Sequence, residues 1–373
     1  MFFRTPIIHT FDDARLAARK RLPRMVFDYI EGTAGVGHGE AANLAALAAI
    51  RLQPRVLVDV STRRLMVPLL GEVADLPFGT SPMALCNLAA PGADRWLAEL
   101  SAKHSVPLGV STISSTPMEQ LIEWAQGHAW FQLYFSGDGT QTFKLIDRAH
   151  RAGYRHLILT LDVPEVARRP RDQRNGFAIP FRIGPQQFID FARHPGWSIC
   201  QLVAGKPEMA NFREPGFTFN RTDSRGRADW TVFAALRERW QGKLIVKGVS
   251  SVEDAVRLRD AGADAIQVSS HGGRQLDAAP PPILQLKAIR EALGSDFAIF
   301  YDTGLRSGED VVKAYAMGAS FVFFGRAMQY AAAGGGQSGL QQWWSALTDD
   351  ISITLAQIGR TSMGNLGSCL ATL

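Results

Sequence analysis

Short apolar runs alternate with stretches of helical spacing along most of this chain. Eight runs rich in β-branched and aromatic residues predict strands at 76–83, 106–112, 128–134, 156–163, 243–249, 265–270, 298–304 and 321–327. Amphipathic stretches at 140–152, 251–261, 282–293 and 308–317 predict helices, and the chain is expected to begin with helical structure over 10–30 and 39–49. Strand followed by helix, repeated about eight times, is typical of a closed parallel barrel. We therefore predict an α/β fold, a (β/α)8 TIM barrel with N-terminal helices.

The ends of the predicted strands carry the polar residues of this pattern. Read toward the C-terminus, the runs finish in Ser111, Gln132, Tyr134, Thr160, Asp162, Lys247, His271, Asp302 and Gly325-Arg326. In a closed parallel barrel these ends share one face, so the side chains would converge on one site. An open doubly wound sheet is the alternative, but no Gly-x-Gly-x-x-Gly follows the first strand.

One connection, 164–230, is too long for a simple loop and is predicted to be an insertion after the fourth strand. It contains the apolar residues Phe188, Ile189, Phe191, Trp197, Ile199, Leu202 and Val203. We expect this apolar part to bury itself on the barrel. Lining the pocket entrance and touching a membrane are the alternatives. The whole chain, 1–373, is predicted to be one domain.

Composition and charge bear on which classes of protein the chain can belong to. With 373 residues and 46% hydrophobic residues, the chain can bury a large core. The net charge of +5 is small, and no basic run with interleaved aromatics indicates nucleic-acid binding. Three widely separated cysteines show no metal-binding or redox spacing, and no signal-peptide core is recognisable. We expect a cytoplasmic protein without a metal site, with peripheral contact to the inner face of the cell membrane as an open alternative.

The stretch 269–277 follows the sixth predicted strand and carries the strongest chemical signal. His271 and Arg274 are three residues apart, and Gly272 and Gly273 let the backbone turn so that both side chains can enter one pocket. A base beside a fixed cation suits a substrate with a carboxylate. An ordinary polar turn is the alternative explanation of these residues.

Five segments together resemble the FMN-dependent 2-hydroxy acid oxidases and dehydrogenases. They are 22–30 (LPRMVFDYI), 131–134 (FQLY), 159–162 (LTLD), 246–248 (VKG) and 269–277 (SSHGGRQLD). The segments 194–197, 210–212 and 354–359 are most similar to the bacterial lactate and mandelate dehydrogenase branch. The resemblance implies FMN as cofactor and oxidation of an (S)-2-hydroxy acid to the 2-oxo acid.

The resemblance implies particular roles for the residues around the predicted base. His271 matches the active-site base, and Asp162 matches the carboxylate that orients the imidazole and stabilises its charge. Tyr134 matches a phenol that hydrogen-bonds the substrate. The implied catalytic set is His271, Asp162, Tyr134 and Arg274.

The same resemblance implies a clamp for the substrate carboxylate. Arg169 and Arg274 match a pair of guanidinium groups, each able to donate two parallel hydrogen bonds. Arg168 could replace its neighbour, although the match favours Arg169. Tyr29 matches a second substrate-binding phenol, but its helical spacing with Met25 is also typical of a core residue.

The cofactor contacts follow from the resemblance as well. Lys247 matches a lysine at the flavin ring, where its charge would stabilise the reduced form. The other implied ring contacts are Pro82, Met83, Ala84, Ser111, Gln132, Thr160 and Ser269. The implied phosphate site comprises Asp302, Thr303, Gly304, Arg306, Gly325 and Arg326, on the loops after the last two strands. Met83, Ser270 and Thr303 depart from the family pattern, and Ile113 and Glu165 occupy variable positions. The choice of substrate stays open, because Ile113 and Met83 could alter the volume and polarity of the pocket.

The remaining expectations concern partners. Oxygen or a quinone would take the electrons, and the likeness to the bacterial dehydrogenases favours a membrane acceptor, with 164–230 approaching the bilayer. The family also implies a homotetramer. Two alternatives stay open: a flavin barrel acting on a larger or modified hydroxy compound, and a non-catalytic flavin-binding sensor.

Overall fold

The N-terminal part of the protein is helical and packs against the last helix of the chain. A computed structural model describes residues 6–177, 183–218 and 223–371. The first helices are α1 (Phe11–Arg21), α2 (Arg24–Glu31) and α3 (His38–Ala49). The helical stretch expected over 10–30 is confirmed as two helices, because Leu22 between them is extended (φ −87°, ψ 142°). Pro23 causes this break, since a proline disfavours helical backbone at the residue before it.

Eight parallel strands close into a barrel, which confirms the predicted fold. A short antiparallel hairpin, β1 (Val67–Leu69) and β2 (Glu72–Ala74), precedes it. The barrel strands are β3 (Phe78–Met83), β4 (Leu108–Val110), β5 (Ala129–Tyr134), β6 (His156–Thr160), β7 (Lys243–Val249), β8 (Ala265–Val268), β9 (Ala298–Tyr301) and β10 (Phe321–Phe324). Each strand pairs with the next, and β10 pairs with β3 to complete the circle.

Helices surround the barrel and fill the long insertion. In chain order they are α4 (Cys86–Ala89), α5 (Ala93–Lys103), α6 (Met118–Trp124), α7 (Thr140–Arg151), α8 (Pro170–Arg174), α9 (Pro185–Arg193), α10 (Pro195–Ala204), α11 (Trp230–Arg239), α12 (Val252–Asp260), α13 (Pro282–Leu293), α14 (Gly308–Ala316) and α15 (Arg326–Gln357). Helices α8, α9 and α10 belong to the insertion. In the described parts of the chain, no helix combines the length and apolarity needed to cross a bilayer.

Aromatic side chains fill the inside of the barrel. The ring centroids of Trp130 and Phe300 lie 5.7 Å apart, and Phe323 is 5.7 Å from Trp130 and 5.8 Å from Phe300. All three side chains are buried. Because this packed layer closes the barrel below the strand ends, polar chemistry is confined to the carboxyl-end mouth.

The insertion buries only part of its apolar surface. Trp197 is buried and its indole Nε1 donates to Leu88 O at 2.9 Å, while Phe191 packs against the core. The expected burial is therefore confirmed for these two residues. It is wrong for the rest of the cluster: Phe188, Ile189 and Ile199 are exposed, and Leu202 and Val203 are 87% and 85% exposed.

Candidate active site

An imidazole and a carboxylate meet at the barrel mouth. His271 Nδ1 lies 3.0 Å and 3.2 Å from the two carboxylate oxygens of Asp162. Asp162 follows β6 and His271 follows β8, so the barrel joins residues 109 positions apart. Since Nδ1 faces the carboxylate, Nε2 is the ring nitrogen left for a substrate.

Two glycines make room for this pair. Gly248 has φ +99°, and a Cβ there would lie 2.5 Å from Asp162 Cβ. Gly272 has φ +64°, and a Cβ there would lie 2.8 Å from an Arg326 guanidinium nitrogen. Both positions require the left-handed backbone that glycine adopts readily. The glycines in the two motifs thus set the position of the charged side chains around them.

A buried ion pair lies deeper in the same mouth. Lys247 Nζ is 2.5 Å from Asp302 Oδ2, and both side chains are buried. The carboxylate also accepts from Gln267 Nε2 at 2.8 Å. Burial raises the pKa of Asp302, but the Lys247 charge and hydrogen bonds outweigh burial and hold that pKa below its usual value. Asp302, which the resemblance implied as a cofactor contact, is thus the counter-ion of Lys247.

Ser269 connects the two pairs. Its Oγ accepts from Lys247 Nζ at 2.7 Å and from the His271 backbone N–H at 3.0 Å. The hydroxyl therefore holds the start of the His271 turn next to the buried cation. Ser269 was expected from the resemblance as a cofactor contact, and its hydroxyl contacts Lys247, the His271 backbone N–H and the Asp302 carboxylate.

The two predicted clamp arginines line one cavity with His271. Arg274 Nη1 donates to Ile30 O at 3.0 Å and to Gly32 O at 2.6 Å, which fixes the guanidinium plane. Burial, and next the charge of Arg169, lower the pKa of Arg274 to about 10. Arg274 therefore stays charged at neutral pH. An anion between the two guanidinium groups would relieve their repulsion.

Arg169 is held closer to the site than its neighbour. Its Nε donates to Arg274 O at 3.4 Å, and its side chain is only 16% exposed. Arg168 also borders the cavity, but it is an exposed residue. The burial of Arg169 favours it as the clamp.

Both predicted phenols border the cavity. Tyr29 stacks on Phe177 with a centroid distance of 4.2 Å, and the Arg274 guanidinium lies 5.6 Å from the Tyr29 ring. Burial raises the pKa of Tyr134 to about 12, and the nearby Asp162 carboxylate adds to that shift. The Tyr134 phenol is therefore protonated at neutral pH and can donate a hydrogen bond.

The mouth contains a cavity of about 470 Å³ whose donors fit a flavin phosphate. Gly304, Arg306, Gly325 and Arg326 line one end. Helix α15 begins there, and Gly325 at its N-cap supplies no side-chain cap, so the first backbone N–H groups remain available to an anion. Helix α14, in contrast, is capped by Ser307, which accepts from Asp310 N. The donor set favours a phosphate at α15.

The other end of the cavity holds the residues expected at the flavin ring. Gln132 Nε2 donates to Thr160 Oγ1 at 3.0 Å, and both side chains are buried between strand ends. The expected contacts that border the cavity directly are Pro82, Met83, Ala84, Ser111 and Lys247. The fixed Lys247 cation beside the apolar residues Pro82, Met83 and Ala84 fits an isoalloxazine.

Ser270 and Thr303, two of the residues that depart from the family pattern, contact each other. The Ser270 backbone N–H donates to Thr303 Oγ1 at 3.1 Å. Thr303 also has φ +109°, a conformation that favours glycine. The threonine hydroxyl therefore ties the His271 turn to the loop after β9, at the cost of local backbone strain.

Three residues near the site were given no role of their own from the sequence. Glu40 forms an ion pair with Arg326, Asp277 accepts from the Gly39 N–H at 2.8 Å, and Arg225 lies over Tyr134. Glu40 and Arg225 stand in segments without a recognisable motif, so no local signal marked them. Asp277 lies in the 269–277 motif, and its observed contact fixes the start of α3 against the His271 turn.

The fold and the site define a TIM-barrel flavoenzyme, and comparison with known proteins agrees. The sequence profile of the family described as FMN-dependent dehydrogenase matches residues 18–372. The chain therefore belongs to the FMN-dependent 2-hydroxy acid dehydrogenase and oxidase family, is an oxidoreductase, and uses FMN.

Individual relatives are similar over nearly the whole chain. The (S)-mandelate dehydrogenase of Pseudomonas putida is 37% identical over 355 residues, covering 93% of this chain and 90% of that protein. An L-lactate dehydrogenase of Pseudomonas syringae pv. syringae (strain B728a) is 33% identical, with 98% of each covered. A crystal structure of the monotopic membrane protein (S)-mandelate dehydrogenase has a TM-score of 0.93, with 35% identity, 98% of this chain covered and 100% of that chain.

Proposed function

We propose that His271, oriented by Asp162, is the base with which this FMN-dependent dehydrogenase oxidises an (S)-2-hydroxy acid to the 2-oxo acid. The observation that carries the proposal is the 3.0 Å contact between His271 Nδ1 and Asp162, in a cavity that Arg169 and Arg274 also line. A base, its orienting acid and a cationic clamp therefore face one space.

Each group has a defined task in the proposed reaction. Arg169 and Arg274 bind the substrate carboxylate, which orients the α-carbon. Tyr134, protonated at neutral pH, donates to the substrate. His271 Nε2 takes the proton, and Asp162 stabilises the resulting imidazolium. FMN, when bound, supplies the two-electron acceptor.

Lys247 has an electrostatic task in this proposal. It is buried and its charge is held in place by Asp302 and Ser269. A fixed cation favours negative charge in its neighbourhood without any rearrangement during turnover. It therefore supports electron transfer into the ring that the cavity would hold.

We further propose a membrane quinone as the electron acceptor. The support is an apolar face on α9 and α10, formed by Phe188, Ile189, Ile199, Leu202 and Val203, which are exposed. Contiguous exposed apolar residues are unfavourable in water and suit a bilayer surface. The similar (S)-mandelate dehydrogenase is a monotopic membrane protein.

One anaerobic experiment tests the reaction, and a second tests the acceptor. Lactate, glycolate and mandelate are added to the yellow holoenzyme, and the flavin absorbance is followed. Bleaching by at least one is expected; no bleaching by any would favour a larger hydroxy substrate. The reduced enzyme is then mixed with oxygen or a quinone analogue, and faster reoxidation by the quinone is expected.

The apolar face is tested by vesicle flotation. A variant carrying Leu202→Ser and Val203→Ser is expected to float less with anionic vesicles than the wild type. Leu284→Ser on α13, which removes another exposed leucine, is the matched control and should float normally. Equal flotation of all three proteins would contradict the membrane proposal.

A further inference from the structure

A third guanidinium reaches the active-site cavity from the end of the insertion. Arg225 lines the same space as His271, Arg169 and Arg274. Its Cζ lies 4.5 Å from the centroid of the Tyr134 ring. The side chain is half-buried, and burial lowers its pKa, although the group stays cationic at neutral pH. Arg225 thus places a partly desolvated charge at the cavity wall.

The loop that carries Arg225 is attached to two strand-end loops. The Ser224 carbonyl accepts from the Gly137 N–H at 3.0 Å, after β5. Ser224 Oγ donates to Glu165 Oε1 at 2.9 Å, after β6. These contacts hold the loop against the mouth and direct the Arg225 side chain over Tyr134.

Arg225 differs from Arg326 and Arg169, two other guanidinium groups of the mouth, in having no acidic partner among the described residues. Arg326 pairs with Glu40, and Arg169 lies 3.9 Å from Asp172. Among residues of the described ranges, Arg225 forms no ion pair within 4.0 Å, and its guanidinium lies over the Tyr134 ring. A ring face satisfies none of its N–H donors, so these remain available to an anion.

The substrate's first carboxylate already has two cations, Arg169 and Arg274, in the proposed function. From this surplus we infer that Arg225 binds a second anionic group on the substrate side chain, and that the preferred substrates are 2-hydroxy dicarboxylic acids. This inference rests on the proposed function. It makes Arg225 a specificity-determining residue, because a monocarboxylic substrate would leave its donors unused.

The test compares a dicarboxylic with a monocarboxylic substrate. Anaerobic flavin reduction is measured for (S)-malate, (S)-2-hydroxyglutarate and (S)-lactate in wild type and in Arg225→Met. In the wild type, at least one dicarboxylate should give the higher kcat/KM. The variant should lower the ratio of dicarboxylate to lactate kcat/KM by about 30-fold, as expected for the loss of a charge-assisted hydrogen bond. Arg225→Lys should retain part of the preference.

The matched control is Arg227→Met, which removes the same charge from an exposed position of the same loop and should leave the ratio unchanged. Binding of 2-oxoglutarate and pyruvate to the wild type, followed by the flavin spectrum, gives a readout independent of variant folding; the dianion should bind more tightly. Lactate reduction without a dicarboxylate preference, or an equal loss for both substrates in Arg225→Met, would overturn the inference alone. If no hydroxy acid reduces the flavin, the proposed function itself fails.

Discussion

Two acid–base pairs share the barrel mouth but differ in access to solvent. The His271 and Asp162 side chains are 20% and 12% exposed, whereas those of Lys247 and Asp302 are 4% and 10% exposed. His271 Nε2 has no hydrogen-bond partner among the described residues. The Lys247–Asp302 pair, in contrast, is hydrogen-bonded by Ser269 and Gln267.

The difference in access suits two different tasks. A proton acceptor must be reached by substrate and must change charge in each turnover. A buried ion pair, in contrast, changes charge only at a large energetic cost, so it provides a constant field. The His271 pair is therefore suited to proton transfer and the Lys247 pair to electrostatic support.

The largest effect is expected from removing the accessible base. His271→Ala should lower the rate of anaerobic flavin reduction by about 10³-fold, because general-base catalysis contributes 10²–10⁴-fold. Stopped-flow absorbance measures this rate. The variant should remain yellow, since His271 is not among the phosphate-binding residues. A rate near that of the wild type would remove His271 from its proposed role.

A different loss is expected from the enclosed pair. Lys247→Met should destabilise the protein by about 3 kcal/mol, because it leaves Asp302 buried without its counter-ion. Urea denaturation measures the free energy of unfolding. Lys243→Met, at the other end of β7, breaks a more exposed pair with Asp264 and should cost less than about 1 kcal/mol. Equal losses of stability in the two variants would show that the difference in burial between Lys247 and Lys243 has no effect.

The same pair predicts a pH dependence. The pKa of Asp302 is lowered in the folded protein, so its ionisation stabilises the fold above the unfolded-state pKa of about 4. This contribution is lost as the pH falls from there through the folded-state pKa. The stability difference between wild type and Lys247→Met should therefore shrink below about pH 4; a constant difference would contradict the assignment.

The smallest effect is expected from crowding the accessible pair. Gly248→Ala would place a Cβ 2.5 Å from Asp162 Cβ, displace the carboxylate and lower flavin reduction by about 10-fold. Gly262→Ala is the control, because Gly262 has a similar φ of +93° but its nearest contact is 3.7 Å away. A Gly248→Ala rate as high as that of Gly262→Ala would contradict the expected displacement of Asp162.

Much of the fold could be predicted because the signals are local. Alternation of apolar runs and amphipathic stretches indicated all eight barrel strands, and polar strand ends indicated the site. Some predicted strands were too long: the run 106–112 contains the strand Leu108–Val110. Residues just beyond a strand can be of the same types as residues that pair within it. The sequence pattern therefore could not locate the last paired residue of each strand.

For the insertion, the local sequence pattern did not predict which apolar residues are buried. Its apolar residues indicated an interaction surface, yet only the structure separates buried Trp197 from exposed Leu202. The 3.6-residue periodicity of a helix identifies an apolar face but not what covers it.

By itself, the sequence determined the barrel, the flavin family and the residue types of the base and the clamp, because strand–helix periodicity and short motifs depend on neighbouring residues. Only the tertiary structure decided that Asp302 neutralises Lys247, that Glu40 pairs with Arg326 and that Arg225 reaches Tyr134. These contacts join side chains from distant segments, and their partners are chosen by barrel closure and burial, which no local pattern encodes.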